Sequence, residues 1–112
     1  MNAIPPCLEG RWIHAREEDT ERVRTYRPSN WPFTRSRLAR QILEFMPGYR
    51  IVSRAGGPAD ARVSREGRWE MVPGEPLVLR LEWLDTSETA LIEVITCSPD
   101  VLQLKVTEGS IE

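Results

Sequence analysis

The chain has 112 residues, of which 40% are hydrophobic and 29% are charged, so its composition is that of a folded domain and not of a disordered segment. The net charge of −2 gives no general attraction to nucleic acid or to membranes, and no run of about 18 apolar residues is present to form a transmembrane helix. We therefore expect one globular domain over residues 1–112, with a flexible tail at 1–6.

The start of the chain and its cysteines indicate where the protein acts. Met1 to Cys7 has neither the basic region nor the apolar region of a signal peptide, which predicts a cytoplasmic protein, with removal of an export signal as the alternative. Without an export signal we expect Cys7 and Cys97 to be reduced thiols, and a bridge would require the first and seventh strands to end near each other. Two cysteines and a single histidine are too few for a zinc site of the Cys/His type, so we predict neither a metal nor a cofactor.

A tetrapeptide occurs twice in the chain. Glu9-Gly10-Arg11-Trp12 returns as Glu66-Gly67-Arg68-Trp69, and each copy opens a segment with the pattern of a β-strand. Each glycine allows a bend or a close approach of another backbone, and each tryptophan needs cover from solvent. The repeat indicates a barrel with one tryptophan in each half of the chain.

Short strands separated by turn residues follow one another along the whole chain. The pattern is clearest at Leu77 to Leu84, where alternate residues are apolar and the residues between them include Arg80 and Glu82. The other predicted strands are Leu8–Arg16, Thr20–Arg27, Tyr49–Ser53, Ala61–Ser64, Arg68–Val72, Thr89–Cys97 and Val101–Thr107, with turns that include Glu17–Asp19 and Glu66-Gly67. The spacing predicts an all-β fold, a single antiparallel meander β-barrel of about eight strands.

Two stretches interrupt this rhythm. Leu38 to Met46 fits neither period cleanly; we favour a strand over a helix because Pro47-Gly48 follows as a turn. Residues 28–37 are predicted to be one long loop, because Pro28 and Pro32 break any ladder of hydrogen bonds. Irregular segments of this length are often functional.

The quoted residues resemble a known group. Gly10-x-Trp12 at the start of the first strand resembles the Gly-x-Trp signature of the lipocalins and the wider calycin superfamily. The segments Gly10 to Thr20, Tyr26-Arg27-Pro28 and Phe33-x-x-Ser36-Arg37 resemble a set of small bacterial lipocalin-like proteins without assigned function. The resemblance implies a compact barrel with a binding site at its mouth.

The candidate site combines the first strand with the long loop. His14, the one histidine, shares a strand face with Trp12 and could act as a base or ligand, although a lone strand histidine is usually only hydrogen-bonded. Aromatic residues beside arginines on a loop can close a barrel mouth over a ligand, or can plug it. The predicted ligand-binding residues are Trp12, His14, Arg27, Trp31, Phe33, Arg35 and Arg37.

The acidic triplet Glu17, Glu18 and Asp19 has a structural interpretation. Bidentate Arg–carboxylate pairs hold irregular backbone in place, so we expect these three residues to form ion pairs with Arg27, Arg35 or Arg37. Plain solvation of an acidic turn is the alternative.

Two functions from different classes fit these observations. The first is a non-enzymatic binding protein that holds a small apolar or anionic ligand at the barrel mouth. The second is a protein–protein interaction module with a filled barrel, which binds a protein partner or a second copy of the chain. The uneven charge would suit the second, since residues 1–69 contain 13 arginines and 8 acids whereas 70–112 contain 2 basic and 9 acidic residues. We favour the alternative that this charge belongs to a solvated surface with a bias for arginine. An enzyme that uses His14 and nearby carboxylates is a third hypothesis and the least favoured, because no second catalytic group is identifiable.

Overall fold

The computed structural model describes residues 7–33, 40–56, 62–73 and 77–111. These residues form eight β-strands and one short 3₁₀ helix, Arg16–Glu18. The strands are β1 (Gly10–His14), β2 (Arg24–Pro28), β3 (Ile42–Met46), β4 (Arg50–Gly56), β5 (Arg62–Val72), β6 (Val78–Trp83), β7 (Thr89–Ser98) and β8 (Val101–Glu108).

All eight strands close into one antiparallel barrel, in the order β1-β2-β8-β7-β6-β5-β4-β3. Strands β3 to β8 follow one another as a meander, and β8 closes the barrel against β2. Strand β3 pairs with β1 and not with β2, so β1 lies between β2 and β3, which run parallel to each other. The predicted all-β barrel of about eight strands is confirmed.

Strand alternation fills the barrel with apolar side chains. In β6 the inward residues Leu79, Leu81 and Trp83 are buried while Arg80 and Glu82 face out, as the sequence predicts. One buried cluster joins these residues to the inward side chains of the other strands: Trp12, Tyr26, Leu43, Phe45, Ile51, Trp69, Ile92, Val94, Leu102 and Leu104. An eight-stranded barrel is just wide enough for such a packed interior.

The two ends of the barrel are closed by residues outside the strands. Leu8 is fully buried at the end where β1 begins. At the opposite end, the chain turns after β8 and buries Ile111, whose carbonyl oxygen accepts hydrogen bonds from Gln41 Nε2 and Ser53 Oγ, both at 2.7 Å. The Tyr26 hydroxyl donates to Gln41 Oε1 at 2.6 Å, so these buried polar groups satisfy one another.

Several boundaries differ from the prediction. The turn predicted at Glu66-Gly67 is wrong: both residues lie inside β5, one continuous strand. A Cβ atom at Gly67 would lie 2.6 Å from the carbonyl oxygen of Glu82, so the glycine serves the close approach of β6 and makes no turn. Strand β1 is shorter than predicted because the chain enters the 3₁₀ helix, and β2 begins four residues later than predicted.

The uncertain stretch from 38 to 46 contains a strand. Ile42–Met46 forms β3 and pairs with β1 and β4, as we favoured over a helix. Residues 38 and 39 lie outside the described part of the chain, as do 34–37 of the predicted loop and the tail at 1–6.

The expectation of two reduced thiols is wrong. Cys7 and Cys97 form a disulfide, with their Cα atoms 5.9 Å apart. Strand β7 ends beside the segment that precedes β1, which is the geometric condition that a bridge requires. The disulfide ties the start of the described chain to the end of β7.

Candidate functional site

The barrel divides the predicted ligand-binding residues between its interior and its exterior. Trp12 lies inside: it is only 4% exposed, and its indole Nε1 donates to the Leu8 carbonyl at 3.1 Å. Arg27 follows the inward Tyr26 on β2 and therefore faces out. The sequence analysis expected Trp12 and Arg27 to lie together at the barrel mouth, and the structure places Trp12 inside the barrel wall and Arg27 outside it.

His14 is held by partners on two sides. Its Nε2 atom lies 2.7 Å from Asp19 Oδ2, and its ring lies 5.1 Å from the ring of Tyr26, its cross-strand neighbour. The other Asp19 oxygen accepts the Thr25 backbone N–H at 2.8 Å. The pair therefore links the end of β1 to the start of β2, which is a structural role.

Two bidentate ion pairs lie on the outer face beside the 3₁₀ helix. The Arg27 guanidinium donates to Glu18 through Nε at 3.0 Å and Nη2 at 2.6 Å. The Arg40 guanidinium donates to Glu17 through Nη1 at 3.0 Å and Nη2 at 2.9 Å. The hydrogen bonds from Arg40 lower the pKa of Glu17, and those to Glu18 raise the pKa of Arg27.

The loop aromatics pack on these same guanidinium groups. The Arg27 guanidinium carbon lies 4.0 Å from the centre of the Trp31 ring, and that of Arg40 lies 4.8 Å from the Phe33 ring. Each arginine is thus held between a carboxylate and an aromatic ring. The structure places Trp31 and Phe33 on the outer face, where they secure the start of the connection from β2 to β3.

Of the three acids, one pairs with a predicted arginine and two have partners that the sequence analysis did not name. Glu18 pairs with the predicted Arg27, Asp19 contacts His14, and Glu17 pairs with Arg40. Arg35 and Arg37 lie outside the described residues. Arg40 was not considered because it falls in the stretch whose structure the sequence left open.

An open cleft lies at the barrel end where β1 begins. It has a volume of about 510 Å³ and is lined by Cys7, Glu9, Gly10, Arg11, Trp12, Pro28 and Pro99; we call it the Trp12 cleft. An adjoining depression of about 400 Å³ shares Glu9, Gly10 and Arg11 with it. A Cβ atom at Gly10 would meet nothing within 4 Å, so the backbone there is open to a ligand.

A second cleft, which the sequence analysis missed, lies beside the second copy of the repeat. It has a volume of about 440 Å³ and is lined by Tyr49, Arg68, Trp69, Glu70, Arg80, Glu82 and Thr89; we call it the Tyr49 cleft. The sequence predicted a turn at Pro47-Gly48, but it did not predict that Tyr49 packs on Trp69. The centres of the two rings are 5.1 Å apart.

A further open crevice of about 680 Å³ runs along the outer surface beside Asp19–Arg24 and Lys105–Thr107.

Within the described ranges, no group of three or more histidine, cysteine, aspartate or glutamate side chains could hold a metal ion. No helix in the part of the chain that the structure describes is long and apolar enough to cross a membrane.

Comparison of the chain with models of known protein families, with curated proteins and with solved structures gave no match. The structure itself shows a closed eight-stranded antiparallel barrel with a packed interior and clefts on its surface.

Proposed function

We propose that the protein is a non-enzymatic binding protein that holds a small apolar or anionic ligand in the Trp12 cleft. The observation that supports this most is the open Trp12 cleft beside Gly10, since the interior is filled by its own side chains and leaves only the surface to a ligand. The Trp12 cleft is an open space at the barrel end, and its volume of about 510 Å³ lies within the range of small-molecule sites.

The lining of the Trp12 cleft sets the class of ligand. Pro28 and Pro99 offer apolar surface, which favours a hydrocarbon portion, whereas Trp12 is only 4% exposed and adds little area. Arg11 is exposed, and within the described residues no ion pair joins it to a carboxylate. Glu9 lies at the same cleft, so apolar contact supplies most of the affinity while Arg11 orients an acidic head group.

We also propose that the protein is related to the lipocalins. This relationship is supported by the closed eight-stranded barrel and by Gly10-x-Trp12 at the start of β1, with Trp12 buried. The pairing of β3 with β1 departs from a strictly sequential barrel. We therefore propose a compact variant of that architecture, in which the ligand lies outside the packed core.

The experiment is a titration of ¹⁵N-labelled protein with octanoate, followed by NMR. We expect shifts centred on the amides of Gly10, Arg11 and Trp12. Replacing Arg11 with glutamine should weaken binding about tenfold, the value of one charge-assisted contact. Arg22→Gln is the matched control, because Arg22 is an exposed arginine outside the Trp12 cleft. Shifts confined to the interior, or equal effects of both variants, would refute the proposal.

One observation favours a second function, a protein-interaction module. Trp31 and Phe33 lie on the outer face with Pro32 exposed between them, and rigid aromatic side chains beside arginines are typical of protein interfaces. Sedimentation of the protein from 5 to 500 μM, a range of ~100-fold set by common dimer affinities, tests association with itself. A constant monomer mass in both the native protein and Trp31→Ala would reject self-association.

The disulfide bears on location. Disulfides persist in oxidising compartments and are rare in the cytoplasm, so the Cys7–Cys97 bridge argues against the cytoplasmic location that the sequence suggests. We propose that the protein acts in an oxidising environment. Thiol quantification in protein isolated under alkylating conditions tests this proposal. Two free thiols per chain would contradict it and would support a cytoplasmic location.

A further inference from the structure

The disulfide joins two walls of the Trp12 cleft. Cys7 lines the cleft from the segment that precedes β1, and Pro99 lines it from the turn between β7 and β8. Cys97 lies near the end of β7, two residues before Pro99, and its bond to Cys7 connects the two segments. The bridge therefore fixes the position of one wall of the cleft relative to the other.

The segment before β1 has two other attachments to the barrel. Leu8 is fully buried, and its carbonyl oxygen accepts the Trp12 indole N–H at 3.1 Å. No strand of the described chain pairs with residues 7–9, and Glu9 is exposed. At Gly10 the segment joins β1 with a φ of +132° and open space around the backbone. Because glycine leaves the backbone free to rotate, residues 7–9 can turn about Gly10 when the bridge is open.

The covalent bond decides where this segment lies. Burial of Leu8 and the hydrogen bond from Trp12 favour the closed position, whereas the conformational entropy of residues 7–9 favours release. These opposing contributions are of similar size, so they leave the segment in a balance between the two positions. The bond to Cys97 removes the open position from that balance.

The bridge is within reach of a reductant. Both cysteines are partly exposed; Cys97 packs against the core, whereas Cys7 lines the open cleft. Exposed disulfides are more readily reduced than buried ones. A thiolate that enters the cleft therefore meets the sulfur of Cys7 first.

We propose that the Cys7–Cys97 disulfide is a redox switch for the Trp12 cleft, which binds its ligand while the bridge is closed and releases it when a dithiol reduces the bridge. One thiolate of the dithiol attacks Cys7 Sγ, the S–S bond breaks, and Cys97 leaves as a thiolate. The second thiolate of the dithiol then attacks the dithiol's own sulfur in the mixed disulfide, and Cys7 leaves. The dithiol becomes a cyclic disulfide, and its two protons end on the two cysteines.

Reduction weakens binding because the cleft loses a fixed wall. Residues 7–9 turn away from the barrel end, and the Trp12 indole loses the carbonyl of Leu8. A ligand must then order this segment at each binding event, and that cost is subtracted from its affinity.

This inference rests on the function proposed above, since the switch controls the ligand of the Trp12 cleft. The movement of residues 7–9 does not need a ligand, however. Two measurements, one without ligand and one with it, therefore separate a failure of the switch from a failure of the proposed function.

The first measurement compares the amide spectrum of the ¹⁵N-labelled full chain before and after reduction with dithiothreitol. We expect shifts centred on Leu8 to Trp12 and on Ser98 and Asp100, and faster solvent exchange of the Trp12 indole N–H. Amides of β4 and β5 should stay unchanged, because neither strand pairs with β1 or β7. Unchanged amides near the bridge, or unfolding of the whole barrel on reduction, would overturn the switch.

The second measurement is the affinity for octanoate. The oxidised protein should bind at least about tenfold more tightly than the reduced protein, and reoxidation should restore the affinity. The matched control is Cys7→Ala/Cys97→Ala, which should bind as weakly as the reduced protein and should not respond to dithiothreitol. Equal affinities of the oxidised and reduced protein would overturn the switch alone. If the oxidised protein does not bind octanoate, the proposed function fails and the control of binding fails with it.

Discussion

The disulfide is expected to carry a large part of the stability of this barrel. Cys7 and Cys97 are 90 positions apart, so the bridge closes a loop that includes most of the chain. For a loop of that length, the loss of chain entropy in the unfolded state corresponds to about 4.6 kcal/mol at 25 °C. A domain of this size is usually stable by only about 5–15 kcal/mol, so loss of the bridge would leave it marginal.

The change to test is the double substitution Cys7→Ala/Cys97→Ala. Alanine avoids placing a hydroxyl beside the core, against which the Cys97 side chain packs. With a urea m-value of about 1.5 kcal/mol/M, a loss of 4.6 kcal/mol moves the unfolding midpoint down by about 3 M. Removal of native disulfides typically costs about 2–5 kcal/mol, so the measured loss should lie in the upper part of that range.

The assay is urea unfolding followed by tryptophan fluorescence, with and without a reductant. Reduced native protein and the double variant should have the same midpoint, and the reductant should not affect the variant. A loss below about 1 kcal/mol would refute the reasoning, because it would mean that the unfolded chain gains little freedom when the bridge is absent. Thiol titration of the denatured native protein should first find no free thiol.

Three other changes test the packing of the barrel and its outer ion pairs. Gly67→Ala should destabilise the protein by at least about 2 kcal/mol in the same urea assay, because the new methyl group would overlap the β6 backbone; unchanged stability would contradict the close approach. Tyr26→Phe should cost about 1–3 kcal/mol, since Gln41 Oε1 would lose its buried donor, and a neutral result would show that water replaces the hydroxyl. The contact with Arg40 lowers the pKa of Glu17, so its contribution is complete above the ordinary glutamate pKa of about 4.3 and is lost as pH falls through the lowered value. Glu17→Gln should therefore be less stable than the native protein at pH 7 and equally stable at pH 2, and a difference that persists at pH 2 would refute the assignment.

The fold was predictable because strand alternation is a local property. In β6 and β8 alternate residues are apolar, and those residues pack in or against the core, although the pairing of β8 with β7 contains two irregularities of register. Strand partners were less predictable, because the choice of β3 to pair with β1 depends on contacts between distant parts of the chain. The Cys7–Cys97 bridge was missed for the same reason, since it depends on where two strand ends meet.

The sequence predicted the types of contact in the candidate site but not their positions in space. A run of acids beside a run of arginines indicated bidentate pairs, and Glu18 forms one with Arg27. The sequence could not show that β2 turns Arg27 outward while Trp12 points inward, which separated the expected mouth residues. Tyr49 was missed because neither its left-handed backbone nor its stacking on Trp69 has a signature in the sequence.

The two copies of the Glu-Gly-Arg-Trp repeat serve the barrel in different ways. Gly10 begins a strand with φ +132° and open space around it, whereas Gly67 lies inside β5 against the backbone of β6. Trp12 donates to a carbonyl four residues before it, because the chain there is not yet in a strand. The residue four positions before Trp69 is already in β5, and among the described residues that indole nitrogen has no hydrogen-bond acceptor. The same four residues thus produce a satisfied structural anchor at one end of the barrel and an unsatisfied donor in the other copy.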